Sequence, residues 1–398
     1  MDSETKLGLL TDEATYEVTG RGEGAARGKG SETAPPCGNP GAHLTQVQTP
    51  SGTVSLMKVM QTNVCCMDCG YCFTRAAKDR PRATFQPEEL AKTFRELNRA
   101  GLAQGLFLSS AIPRNGVDAM DQELKTADIL RNKLGFRGYI HLKVMPGSER
   151  AQVAEAVRLA DRVSINLEAP TETYLEKLSK RKKLEDDILK RMAWVAEESR
   201  LAGLPSGHTT QFVLGAAGEA DRDVLGRLDQ LYSEFYLRRA HFSAFTPIEG
   251  TPLDGVPPTP SLREKRLYEA DFLIRQYRTA LADLPFDGLG NLPLSLDPKL
   301  AMALQRPGLF PVEVNRDSLE VLLQVPGVGP LSARRIVSYR RDRLIGDLRE
   351  LQTMGVVTRR AAPFLLISGR AQGDLGAFLR EQERRAQERP AVQLSLFA

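Results

Sequence analysis

The sequence predicts an α/β chain: a parallel sheet with helices between its strands, followed by a smaller helical C-terminal domain. Three observations carry this. From about Thr45 to Leu284, short apolar runs alternate with amphipathic segments of helical period, the pattern of βα units. Residues 319–341, LEVLLQVPGVGPLSARRIVSYRR, read as helix, tight turn and helix. The length of 398 residues allows two or three domains at about 150 residues each.

Taken in order, residues 1–44 form an N-terminal segment. Its stretch 19–41, TGRGEGAARGKGSETAPPCGNPG, is rich in Gly and Pro without periodicity, so a flexible, disordered insertion is expected. Residues 45–284 hold six candidate strands: Ser55–Met60, Gly105–Ser109, Tyr139–Val144, Arg162–Leu167, Thr209–Gly215 and Arg239–Phe245. Between them, Pro87 suits a first helical turn, with Leu90, Phe94 and Leu97 on one face. Leu124, Ala127, Leu130 and Leu134 line a second helix that Gly135 ends, and Ser148 is the expected cap of a third, with Val153, Val157 and Ala160 inward. Residues 285–370 make the all-α domain around the PGVG turn, and 371–398 a charged helix and tail.

At 41% hydrophobic and 26% charged, with no apolar run long enough to cross a bilayer, the composition is that of a soluble globular protein. The opening MDSETKLGLLTDEATYE is acidic and lacks an apolar core, so a cytoplasmic, membrane-free protein is expected. The net +4 is unevenly spread: residues 331–398 hold thirteen Arg, no Lys and seven Asp plus Glu, leaving 1–330 at −2. Arg-only cationic surface suits phosphate, although a solvated, salt-bridged helical face fits equally.

The chemistry is concentrated in VCCMDCGYCFTR. Cys65, Cys69 and Cys72 are spaced C-x3-C-x2-C, with Tyr71 before the third. Three thiolates at this spacing can hold three irons of a cubic cluster and leave the fourth iron open. A structural zinc would need a fourth ligand, for which only the adjacent Cys66 or the distant Cys37 is available. Five cysteines in 398 residues, four of them in one loop, fit metal binding in a reducing compartment and not a disulfide scaffold.

This motif resembles the signature of the radical S-adenosylmethionine enzymes. The resemblance implies a [4Fe–4S] cluster on Cys65, Cys69 and Cys72, with S-adenosylmethionine chelated by the free iron and cleaved by one electron from a donor to give a 5′-deoxyadenosyl radical. It also implies a partial (β/α)6 TIM-like barrel with the cluster loop at its mouth. Cofactor contacts then fall on Tyr71, on Ser109 and Ser110 where the family carries Gly-Gly-Glu, on Asn166 and Glu168 in SINLEAP, and on Gly215 in QFVLGAAGE, where Glu219 lies one residue beyond the usual pattern. Tyr139, His141 and Lys143 are candidates for quenching a product radical, and strand packing explains them as well. With Cys37 the one cysteine outside the loop, no second cluster is expected.

The segment around VPGVGP resembles a helix-hairpin-helix motif. Gly327 and Gly329 would allow the sharp turn, the N–H groups opening the second helix would seat a phosphate, and Arg334 and Arg335 would follow along a DNA backbone. Val325, Val328 and Ile336 would lock the helices together, and Arg359 and Arg360 would complete the module. At the end, Gln393, Leu394, Leu396 and Phe397 in QLSLFA match the peptide by which bacterial DNA-processing proteins dock on the sliding clamp; folding back onto the core is the alternative.

Together these segments resemble the DNA modification or repair radical S-adenosylmethionine proteins, a bacterial family often encoded beside a uracil-DNA-glycosylase-like protein. The resemblance spans about Thr45 to Phe364 and brings no substrate. It implies an enzyme acting on a nucleotide in DNA, flipped out or single-stranded. The rivals are an RNA-base or small-molecule radical enzyme, and a DNA-binding scaffold or redox sensor with a structural cluster.

Overall fold

The computed structural model describes residues 1–14, 44–49 and 52–388. The insertion 19–41 with Cys37, and the tail peptide Gln393 to Phe397, lie outside the described residues. The described residues fall into two compact units, one from Met1–Glu219 and Gly226–Ser261, the other from Ala220–Leu225 and Leu262–Ala398. No described helix is long and apolar enough to cross a membrane.

The first unit begins with α1 (Ser3–Ala14) and builds a seven-stranded sheet in sequence order: β1 (Leu44–Thr49), β2 (Gly52–Met60), β3 (Gly105–Ser109), β4 (Tyr139–Lys143), β5 (Arg162–Ser164), β6 (His208–Leu214) and β7 (Arg239–Ala244). β2 to β7 are parallel throughout, as the alternating pattern predicts. β1 was not foreseen; it pairs antiparallel with β2 at the sheet edge, from Leu44 opposite Met57 to Thr49 opposite Gly52. The result is a mixed α/β fold with a curled, partial-barrel sheet.

The helices of this unit are α2 (Pro87–Arg99), α3 (Gly116–Asp128), α4 (Arg150–Leu159), α5 (Glu172–Leu178), α6 (Lys190–Ala202) and α7 (Asp221–Glu234), the last crossing into the second unit. α2 starts where expected: Gln86 caps it in a capping box with Glu89, Pro87 takes the first turn, and Leu90, Phe94 and Leu97 are buried. α3 runs on into a π-helical turn, Ile129–Lys133, that stops before Gly135 at φ +64°. Ser148 does not cap α4. Glu149 occupies that position in a capping box with Gln152, while the Ser148 hydroxyl donates to the Met145 carbonyl.

β5 is also shorter than predicted, ending at Ser164 instead of Leu167. The Thr210 hydroxyl interrupts the ladder, donating to the Ile165 carbonyl at 2.7 Å and accepting from Leu167 N–H at 3.0 Å. Glu168 then turns left-handed at φ 68°.

The two faces of the sheet differ in chemistry. Met57, Val59, Leu106, Leu108, Ile140, Leu142, Phe212, Leu214, Ala240 and Phe242 form one buried apolar face, the kind that crossover helices cover in a parallel sheet. The alternate residues, linked by register from Lys58 through Phe107 and His141 to Arg162, and from Lys143 through Ser164 and Thr209 to Arg239, form the other. In a curled sheet of this kind that face is the concave one.

The second unit contains α8 (Ser261–Phe272, entering from its first residue), α9 (Pro298–Gln305), β8 (Val312–Glu313), α10 (Leu319–Gln324), α11 (Pro330–Tyr339), α12 (Leu348–Thr353), α13 (Thr358–Ala361), β9 (Leu365–Ile367), β10 (Arg370–Ala371) and α14 (Leu375–Glu388). It is not all-α: β8 pairs parallel with β9, and β10 antiparallel with β9. These strands have two or three residues each, below the length at which periodicity is legible in a sequence. Val325, Val328 and Ile336 are buried in one core with Leu322, Leu351 and Phe364, as the sequence pattern requires.

Candidate functional site

The loop leaving β2 carries the three cysteines and is held from several sides. Cys66 N–H donates to the Ile112 carbonyl at 2.7 Å, and Gly70 N–H to the Leu178 carbonyl at 2.7 Å. Asp68 receives the Ser179 hydroxyl at 2.5 Å and Lys180 N–H at 3.1 Å, while Arg181 donates to the Cys66 carbonyl at 2.6 Å. On the far side the Arg82 guanidinium gathers four carbonyls, of Asn63, Thr74, Arg75 and Lys78, between 2.5 and 2.9 Å. One planar fork thus draws together carbonyls from four points along the irregular loop. Arg80 stacks on Phe73, 3.5 Å from the ring centroid, and pairs with Glu13 of α1 at 2.6 Å.

Within this frame Cys65, Cys69 and Cys72 converge closely enough to act on one another electrostatically. Burial raises the Cys65 thiol, and the Cys69 sulfur adds to the effect. Burial pushes Cys72 up to about 11, again reinforced by Cys69. A cationic metal centre would offset the resistance of Cys65 and Cys72 to ionising and bind the sulfurs as thiolates. Cys66 points elsewhere, its sulfur donating to the Arg114 carbonyl at 3.3 Å. No three His, Cys, Asp or Glu among the described residues close on a single metal ion, and a cube spreads its ligands more widely than one ion does.

Beside the sulfurs lies a buried chain of polar groups. Lys182 Nζ stands 3.2 Å from Glu168 Oε1 and 3.2 Å from the Tyr71 hydroxyl. Burial opposes the charge of Lys182, but the Cys69 sulfur and the Glu168 carboxylate outweigh it and hold the ammonium well above its ordinary pKa. Burial raises the Tyr71 hydroxyl, and Glu168 adds to this, so Tyr71 stays protonated. Glu168 Oε2 is buried with no hydrogen-bond partner among the described residues, an acceptor left for a ligand. Lys182 was missed in the sequence: it lies 110 residues beyond Cys72, in a stretch (SKRKK) that reads as solvated charge.

The other expected cofactor residues follow the ends of the strands. Ser109 is fully buried and its hydroxyl has no partner among the described residues, whereas Ser110 donates to the Ala111 carbonyl at 2.7 Å. Asn166 is half-buried beyond β5. Gly215, at φ 86°, donates its N–H to Glu219, so the displaced glutamate braces the glycine turn. Tyr139, His141 and Lys143 lie on β4, one layer below; His141 Nε2 meets the Ser164 hydroxyl at 2.8 Å and its ring meets Phe107 edge-on at 4.5 Å.

In the second unit, α10 and α11 are joined by a turn in which Gly327 takes φ +89° and its carbonyl accepts from Val357 N–H at 2.9 Å. Gly329 is extended and precedes α11. α12 and α13 are joined similarly, with Gly355 also at +89°. Arg334, Arg335 and Arg359 are exposed, Arg335 reaching the Met354 carbonyl at 3.2 Å, while Arg360 is committed to Asp297 at 2.6 Å.

No curated protein matches the chain. Several solved structures are similar in part. The FeFe-hydrogenase maturase HydG from Carboxydothermus hydrogenoformans is 16% identical with a TM-score of 0.43, over 54% of this chain and 50% of that one. Methylornithine synthase (PylB) is 16% identical at 0.44, over 62% and 66%. Coproporphyrinogen III oxidase (HemN) from Escherichia coli is 15% identical at 0.36, over 61% and 56%. The chain spans about half the length of the HydG maturases. Residues 59–231, which include the cysteine loop, Glu168 and Lys182, match the family described as the radical SAM superfamily. The chain therefore carries a domain of the radical S-adenosylmethionine superfamily, whose enzymes use a [4Fe–4S] cluster and S-adenosylmethionine.

Proposed function

We propose that this protein is a radical S-adenosylmethionine enzyme that modifies or repairs a nucleotide in DNA. The sulfurs of Cys65, Cys69 and Cys72 would hold the cluster, with Glu168, Ser109, Asn166 and the Gly215 backbone available to the nucleoside and methionyl parts of the cofactor. When bound, this pair supplies one-electron cleavage of a sulfonium and a radical that abstracts hydrogen. The chain's own contribution is to hold the loop through Arg82 and Asp68 and to keep Lys182 charged and Tyr71 protonated. In this reading the tail peptide brings the enzyme to a sliding clamp, an electron donor reduces it, and a uracil-DNA-glycosylase-like protein is a functional neighbour.

The observation that favours DNA is the exposed Arg334 on α11, five residues after the turn glycine Gly329, in a C-terminal region whose cations are all arginine. A positive-φ glycine turn opening onto a helix presents backbone N–H groups, and neighbouring guanidinium groups can grip phosphate without reading bases. Affinity for duplex and single-stranded DNA, measured against salt, tests this. Replacing Arg334 with Gln should reduce the slope of log affinity on log salt by about 0.9 on duplex DNA. An unchanged slope would mean that Arg334 meets no phosphate, and a several-fold preference for RNA of equal length would move the substrate to RNA.

A further inference from the structure

None of the seven strands of the first unit contains an Asp or Glu, while four of them contain a Lys or Arg: Lys58 on β2, Lys143 on β4, Arg162 on β5 and Arg239 on β7. All four lie on the same, concave face. Lys58 is in register with Phe107, Phe107 with His141, and His141 with Arg162. Lys143 is in register with Ser164, Ser164 with Thr209, and Thr209 with Arg239. Side chains alternate across a strand, so random placement would send some of these cations to the apolar face, where none is found.

The cations sit close together. Lys58 Nζ is 5.4 Å from the centroid of the Phe107 ring, which meets His141 edge-on. Burial first, then Arg162, His241, Lys58 and Lys143 hold His141 neutral, placing four positive or potentially positive groups around one ring. Two hydroxyls on this face, those of Ser109 and Thr209, are buried without a hydrogen-bond partner among the described residues. A face that concentrates cations and leaves buried donors available is suited to a polyoxygen anion, which accepts from guanidinium, ammonium and hydroxyl groups alike.

We infer that the concave face of the sheet is a phosphate pocket, holding a phosphate group of the substrate on Lys143, Arg162 and the Thr209 hydroxyl. This rests on the radical-enzyme reading for its meaning but not on DNA: the phosphate can belong to a nucleotide of a strand or to a free phosphorylated molecule.

The test is equilibrium binding of thymidine and thymidine 5′-monophosphate to the full-length protein, with inorganic phosphate as competitor. The monophosphate should bind at least tenfold more tightly than the nucleoside, phosphate should displace it, and Lys143→Gln and Arg162→Gln should each weaken it at least fivefold. Lys143→Arg should retain binding, which separates lost charge from lost folding. Equal affinity for nucleoside and nucleotide would overturn the inference, as would wild-type affinity in both glutamine variants. A single-stranded oligonucleotide that competes places the phosphate in a nucleic acid strand. Its failure to compete while the monophosphate binds keeps the pocket and counts against the DNA reading alone.

Discussion

Lys182 and Glu168 form a buried ion pair at 3.2 Å, with 10% and 5% of their side chains exposed, and the same ammonium reaches the hydroxyl of Tyr71 one residue before Cys72. The pair fixes the geometry of the loop's inner side. Glu168 sits in the left-handed region, a position that costs about 1–3 kcal/mol for a residue other than glycine unless its surroundings hold it there. The ion pair and the buried environment are what hold it.

Removing one partner of such a pair leaves the other charge buried. Lys182→Met should therefore lower stability by about 3–5 kcal/mol, seen as a marked fall in thermal midpoint. Glu168→Gln combined with Lys182→Met should recover most of that loss. If the double variant is no more stable than Lys182→Met alone, the two residues are not coupled as described.

A pH effect follows from His208 on β6, which is buried, with neither ring nitrogen hydrogen-bonded among the described residues. Burial depresses its pKa from the ordinary 6.5 to about 3. Between those values the unfolded chain takes up a proton that the native state refuses. Stability from this residue is full above the unfolded pKa and is lost as pH falls through the window, at about 1.4 kcal/mol per pH unit. Melting at pH 7.5 and pH 5 should show His208→Leu losing less stability on acidification than the wild type. Equal losses would mean that His208 is not held neutral.

Gly327 is confined more tightly than other glycines of the second unit. Its φ is +89°, and an added Cβ would lie 2.7 Å from the Val357 carbonyl oxygen. Gly327→Ala should destabilise by about 2–4 kcal/mol, combining backbone strain with a steric clash that backbone must absorb. Gly308→Ala, where a Cβ meets nothing within 4 Å and φ is not positive, should be close to neutral. Similar losses at both positions, measured by denaturant titration of the two variants, would contradict this account of the turn.

Much of the first unit was legible because each layer of its sheet leaves a period in the chain. The apolar runs at Gly105–Ser109 and Tyr139–Val144, and the helix faces at Leu90, Phe94 and Leu97, report burial directly. The three cysteines were legible because their ligation needs a fixed local spacing. Lys182 and Arg82 were not, since what defines them is proximity across the fold: Lys182 is brought to Tyr71 by the segment after α5, and Arg82 reaches back to Asn63, 19 residues earlier. β8 to β10 escaped notice because strands of two or three residues have no period to detect, and the shortening of β5 depends on one hydroxyl, that of Thr210.

The central claim is that three converging sulfurs make a site for reductive S-adenosylmethionine chemistry. It is tested most directly by reconstituting the protein anaerobically with iron and sulfide, reducing it, adding S-adenosylmethionine and measuring 5′-deoxyadenosine by mass spectrometry. The wild type should bind close to four irons per chain and release 5′-deoxyadenosine, and Cys69→Ala should do neither, while Cys66→Ala should do both. A wild-type protein that takes up a full cluster yet forms no 5′-deoxyadenosine, or a Cys69→Ala variant that forms as much as the wild type, would contradict it.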